Sequence, residues 1–168
     1  NPRAGTMQSQ RNLFKIVDSF CAAGYEATVR ITQAAGDAYA TAAACGGRYD
    51  MVVCVGGDGT LNEVTNGLMS LPVRPRLGYI PCGSTNDFAS SLRLPKRPLD
   101  AVGKILAGAP CPIDVGRFKD RYFNYVASFG AFTESSYAAP QATKNYLGHL
   151  AYILEGIKDL PKIRPYYV

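Results

Sequence analysis

The densest chemistry in the sequence is Gly56-Gly57-Asp58-Gly59-Thr60-Leu61-Asn62-Glu63, which follows the apolar run Met51-Val52-Val53-Cys54-Val55. Glycines let a backbone approach a polyanion and aim successive N–H groups at it, and a following helix adds its positive N-terminal end. Phosphate is the ligand this composition suits. Thr60 can donate a hydroxyl hydrogen bond to a phosphate oxygen. The carboxylate of Asp58 would repel phosphate unless Mg2+ or bound water lay between them, so Asp58 implies a divalent ion. A plain tight turn with Asp as helix cap would need only one or two of these residues. The pattern is not a Walker A loop, because no Gly-Lys-Ser/Thr follows, and it is not a G-x-G-x-x-G dinucleotide fingerprint.

A second polar cluster, Pro81-Cys82-Gly83-Ser84-Thr85-Asn86-Asp87-Phe88, follows the short apolar run Leu77-Gly78-Tyr79-Ile80. Ser84, Thr85 and Asn86 offer donors, and Asp87 a second carboxylate that could hold a metal-bound water or orient a neighbour. An Asx-capped helix start is the plain alternative for this cluster alone. Asn1-Pro2-Arg3-Ala4-Gly5 is a third polar turn, and Thr32 with Gly36-Asp37-Ala38 a fourth. Asp114, within Ile113-Asp114-Val115-Gly116, is expected on a buried strand, where it would need a partner or an ion. Asp58, Asp87 and Asp114 are expected to form one network.

The elements that must position these groups alternate. Residues 8–23 place Leu13, Ile16, Val17 and Phe20 on one helical face, with Gly24 as a stop. A strand is expected at Tyr25–Ile31, a helix at Asp37–Cys45, and a strand buried on both faces at Asp50–Val55. A helix at Leu61–Met69, a strand at Leu77–Ile80 and a helix at Leu99–Leu106 follow. Such an order implies an α/β domain with a mostly parallel sheet, helices on both faces, and functional loops at the carboxyl ends of the strands. Beyond residue 110 the texture changes, with a hairpin expected from Ile113–Phe118 and Tyr122–Ser128 and a core-packed helix over Ala142–Leu160. His149 in that helix, and the scattered tyrosines, read as packing or rim residues. The polar turn at Asn1 has no strand before it and the end at Tyr166-Tyr167-Val168 looks like entry into a strand, so a fragment of a longer protein is expected.

Composition narrows the class. A chain of 168 residues, 47% hydrophobic, can close one core and begin a second. No segment approaches the roughly 20 apolar residues of a membrane span, and no signal-peptide pattern opens the chain. Five cysteines without a C-x-x-C pair argue for reduced core thiols and a cytoplasmic protein rather than disulfides or structural zinc. The net charge of +5 favours anionic partners, but its cations are dispersed, which argues against nucleic acid and for at most peripheral, salt-sensitive contact with anionic membrane.

Taken together, N-P-x-A-G, T-x-x-x-G-D-A, G-G-D-G-T-L-N-E, G-S-T-N-D-F and D-V-G resemble the diacylglycerol kinase catalytic family, over nearly the whole chain. The resemblance implies a three-layer nucleotide-binding domain similar to phosphofructokinase and NAD kinase over residues 1–110, with its first strand missing. Residues 111–168 would begin a β-rich domain for the lipid. It implies ATP against Asn1, Pro2, Arg3, Ala4, Gly5, Thr32, Gly57, Asp58, Gly59, Thr60, Leu61, Asn62, Glu63 and Ser84, with Asp58 catalytic. It also implies Mg2+ in a water network of Asp58, Asp87 and Asp114, and a general base in the later part of the second domain. The family usually has Thr at Ser84 and Ser at Ala4. The expected reaction is transfer of the ATP γ-phosphate to a lipid hydroxyl, diacylglycerol giving phosphatidic acid. NAD kinase and a non-catalytic nucleotide-binding regulator are the rival readings. The sequence leaves the acceptor lipid and self-association to a homo-oligomer open.

Overall fold

The computed structural model describes residues 1, 2, 4 and 8–127. The helix expected at 142–160, with His149, lies outside them. The chain divides into two compact units, Asn1–Tyr125 and Val126–Val168, and every described helix and strand belongs to the first.

That unit runs α1 (Gln8–Ala22), α2 (Asp37–Cys45), β1 (Met51–Gly56), α3 (Asp58–Met69), β2 (Arg76–Pro81), α4 (Asp87–Ser91), α5 (Pro98–Ala107), β3 (Gly116–Phe118) and β4 (Arg121–Phe123). The β-branched run of β1 pairs in parallel with β2, from Met51 opposite Arg76 to Gly56 opposite Pro81. Alternate side chains then enter two cores. Cys54 and Tyr79 pack with Ala38, Ala42, Leu61, Val64 and Leu68 from α2 and α3. Ile80 packs with Ile16, Phe20, Ala101 and Val102 from α1 and α5, against Val53 and Val55. Helices thus cover both faces of the sheet, as expected. Leu61, Ile80 and Val102 are fully buried, each stabilising the fold by about 1.5–3 kcal/mol.

The short β3–β4 hairpin turns at Lys119-Asp120 and is tied to α3. The side chain of Asn66 brackets one residue: Nδ2 donates to the Tyr122 carbonyl at 2.9 Å, and Oδ1 accepts the Tyr122 N–H at 2.9 Å. Thr65 Oγ1 adds a bond to Asn124 Oδ1 at 3.0 Å.

Several expectations need correction. Tyr25–Ile31 is not a strand. Among the described residues β1 pairs only with β2, and no backbone hydrogen bond reaches residues 26–32. Strand-forming residues without a neighbouring ladder remain an unpaired segment, with Val29 and Ile31 45% and 57% exposed. Between this segment and the open edge of β1 lies a groove lined by Phe20, Val29, Ile31, Val53 and Val55, with Asn1, Thr32 and Thr60 also on its wall. The helix expected from Leu61 begins at Asp58, so the phosphate motif is helical from its third residue on. Asp114 is not on a buried strand: it is exposed and precedes β3, which starts only at Gly116. The last strand stops at Phe123 rather than Ser128.

The cysteines are free, as expected, but only Cys54 and Cys82 are buried, whereas Cys21 and Cys111 are exposed. Burial pushes the Cys54 thiol up to about 12 and that of Cys82 to about 11, so both stay protonated and unreactive near neutrality. Among the described residues no helix is long and apolar enough to cross a membrane.

Candidate functional site

The parallel register brings the ends of β1 and β2, and with them both glycine-containing loops, to one edge of the sheet. The loops then touch backbone to backbone. A Cβ placed on Gly83 would lie 2.5 Å from the Cα of Gly57, so neither loop has room for a side chain at the crossing. Asn86 closes the second loop on itself. Its Oδ1 accepts the Gly83 N–H at 2.8 Å and its Nδ2 donates to the Gly83 carbonyl at 2.8 Å, with φ at 56°, which Asn tolerates better than most residues.

Asp58 joins the two loops. Its Oδ2 accepts the N–H of Asp87 at 3.0 Å and its Oδ1 that of Phe88 at 3.2 Å, so one carboxylate on the first turn of α3 caps the start of α4. The repulsion that this charge would exert on a phosphate is partly offset by those two N–H dipoles. Burial, with the Asp58 charge second, also pushes the phenol of Tyr79 up, and the protonated hydroxyl sits 3.4 Å from Asn86 Oδ1.

The N-terminus of α3 has no side-chain cap. Its first intrahelical bond runs from Leu61 N–H to the Gly57 carbonyl at 3.0 Å, which leaves the N–H groups of Asp58, Gly59 and Thr60 ahead of it. Packing does not explain Gly59: a Cβ there meets nothing within 4 Å. A glycine in a helical turn, where alanine would be more stable, is what a ligand coming close to the backbone would require. Such a cradle of N–H groups, beside the hydroxyl of Thr60, suits phosphate oxygens.

The remaining sequence-derived positions divide. Asn1 reaches the cradle, its Nδ2 donating to Thr60 Oγ1 at 3.1 Å and its amine to the Val55 carbonyl at 2.8 Å. Pro2 and Thr32 line the same groove as Thr60, and Ser84 lies exposed on the second loop. Arg3 and Gly5 lie outside the described residues, while Ala4 is buried in the cluster of Ile16 and Ile80. Leu61 is only 1% exposed and seats the helix in the core. Asn62 uses its carbonyl to accept Asn66 Nδ2 at 2.8 Å. Glu63 turns away to α2: Oε1 accepts the Gly36 N–H at 3.0 Å and Oε2 that of Ala38 at 3.2 Å. No local sequence signal marks the bonds of Glu63 or Asp58, because they join residues 25–30 positions apart.

For a metal the fit is poor. Among the described residues no group of three or more His, Cys, Asp or Glu could hold an ion. Each oxygen of Asp58 already accepts one backbone N–H and keeps a lone pair for a water or a cation.

Comparison with known proteins points one way. The family model for the diacylglycerol kinase catalytic domain matches residues 1–118. A diacylglycerol kinase of Bacillus subtilis (strain 168) is 42% identical over 167 residues, covering 98% of this chain and 55% of the relative. One from Staphylococcus aureus (strain MRSA252) is 38% identical over 165 residues, covering 98% and 52%. The crystal structure of a diacylglycerol kinase from Bacillus anthracis str. Sterne superposes with a TM-score of 0.68 at 36% identity, over 73% of this chain and 43% of that one. The chain spans about half the length of the curated relatives it matches.

Proposed function

Because this chain belongs to the diacylglycerol kinase catalytic domain family, we propose that its whole protein transfers the γ-phosphoryl group of Mg·ATP to a lipid hydroxyl, with diacylglycerol giving phosphatidic acid. The observation that carries this reading is the uncapped first turn of α3, open at Gly59 and walled by the second loop. In the reaction the acceptor oxygen bonds to the γ-phosphorus, the bond to the β–γ bridging oxygen breaks, and ADP leaves. Catalysis of this kind is mostly positioning and electrostatics. The N–H groups of α3 and the hydroxyl of Thr60 would hold phosphate oxygens, with Asn1, Thr32 and Ser84 around them. Asp58 would act as a positioning group, setting one loop against the other, and as a water-mediated neighbour of the magnesium that arrives with ATP. The hydroxyl proton would pass to a general base in the later part of the second domain, while the N–H groups of Asp87 and Phe88 hold Asp58 in its positioning role.

On this proposal residues 1–110 form a nucleotide-binding domain of the phosphofructokinase and NAD kinase type, and residues 111–168 open a β-rich lipid domain. The groove beside β1 supports one more strand there, parallel to β1 and leading into Asn1, because the Asn1 nitrogen already bonds the Val55 carbonyl as a ladder N–H would. The positive charge supports peripheral contact with anionic membrane.

The test offers the full-length protein labelled Mg·ATP with diacylglycerol, phosphatidylglycerol, a sphingoid base, ceramide and NAD in parallel. Label in diacylglycerol above the other acceptors is expected. Label in NAD alone would replace the lipid reading with a nucleotide kinase, and ATP binding without transfer to any acceptor would favour a regulator.

A further inference from the structure

We propose that Glu63 is a positioning residue for the nucleotide site, acting through the Thr32 loop rather than by touching ATP; this rests on the kinase reading above. Its two carboxylate oxygens accept the N–H groups of Gly36 and Ala38, at 3.0 and 3.2 Å, on the turn that starts α2. A carboxylate spent in this way has no reason to face a triphosphate, whose charge it would repel. What it fixes is the turn. Gly36 holds φ at 88°, a value that favours glycine, and α2 begins there without a side-chain cap of its own. Asp37 closes the turn from inside, its Oδ2 accepting the N–H groups of Gln33 at 2.7 Å and Ala34 at 2.9 Å.

Thr32 directly precedes these tied residues and lines the groove with Thr60 and Asn1. Thr60 and Glu63 stand three positions apart on α3, so one turn of helix carries a phosphate-facing hydroxyl and the clamp that registers a second wall against it. Residues 26–32 have no backbone ladder to hold them among the described residues, so on the C-terminal side of Thr32 the segment is held first by Asp37, at Gln33 and Ala34, and then by Glu63, which ties the turn carrying Asp37 to α3. The local stability of that wall then depends on a bond made 27 residues away.

Two readouts on the full-length protein test this separately. Hydrogen exchange without nucleotide reads the clamp itself: the amides of Gly36 and Ala38 should exchange at least about tenfold faster in Glu63→Ala than in wild type, with Glu63→Gln between them. Equal exchange in wild type and Glu63→Ala would overturn the clamp. Mg·ATP binding by calorimetry reads the consequence: Glu63→Ala should weaken it about tenfold, and in the Thr32→Ala background the same change should add little. Losses that multiply in the double variant, or unchanged affinity in Glu63→Ala, would overturn action through Thr32. A wild type that binds no ATP would reject the kinase reading and with it the role in ATP binding, whereas the exchange result would still decide the clamp.

Discussion

Asp58→Asn is expected to lower phosphoryl transfer by the full-length protein about a hundredfold or more, with a smaller loss of stability. Both oxygens of the carboxylate accept backbone N–H groups, from Asp87 and Phe88. An amide offers one oxygen and one NH2, so one N–H would face a donor. Losing one charge-assisted bond costs about 1.5–3 kcal/mol. The larger effect comes from geometry. The second loop packs on the first through the Gly57–Gly83 backbone contact, so release of the α4 end moves Ser84 relative to the first turn of α3. A displacement of about 1 Å in a positioned site can cost about 10²-fold in rate. Turnover and thermal melting measured on the same preparation check this. Near-normal turnover in Asp58→Asn would remove its positioning role.

Gly59→Ala separates binding from folding. The added methyl meets nothing within 4 Å, and alanine is favoured over glycine in a helix by up to about 1 kcal/mol. The variant should therefore melt at the same temperature as wild type or slightly higher. Its Mg·ATP affinity should nevertheless fall about tenfold or more, equivalent to about 1.4 kcal/mol, because the methyl occupies the space through which phosphate approaches the N–H groups. Gly83→Ala is the contrasting control: its Cβ would lie 2.5 Å from the Gly57 backbone, so it should lose stability as well as binding. Unchanged ATP affinity in a well-folded Gly59→Ala would mean that the glycine serves no ligand.

The parts of the fold legible in the sequence were those written in local patterns. The β-branched run of β1, the spacing of Ile16 and Phe20 on α1, and the glycines after β1 and β2 each carry their own signal, and the two loops did meet at one sheet edge. Tyr25–Ile31 failed as a strand because strand character is realised only through a neighbour, which propensity does not report. Asp114 sits beside apolar Ile113 and Val115, yet burial depends on what packs over a segment, and these residues pass along the surface before β3. Within the site, the motif marked Asp58 and Glu63 but not their directions. One turns to α4 and the other to α2, through bonds that no spacing rule encodes.

Whether the first turn of α3 receives the triphosphate can be read from amide NMR spectra of the full-length protein during a titration with Mg·ATP. The resonances of Gly59 and Thr60 should move first and furthest, with Ser84 and Thr32 following, and in Gly59→Ala the Thr60 resonance should need about tenfold more Mg·ATP to move as far. A titration that saturates while Gly59 and Thr60 stay in place would put the phosphates elsewhere and contradict the site.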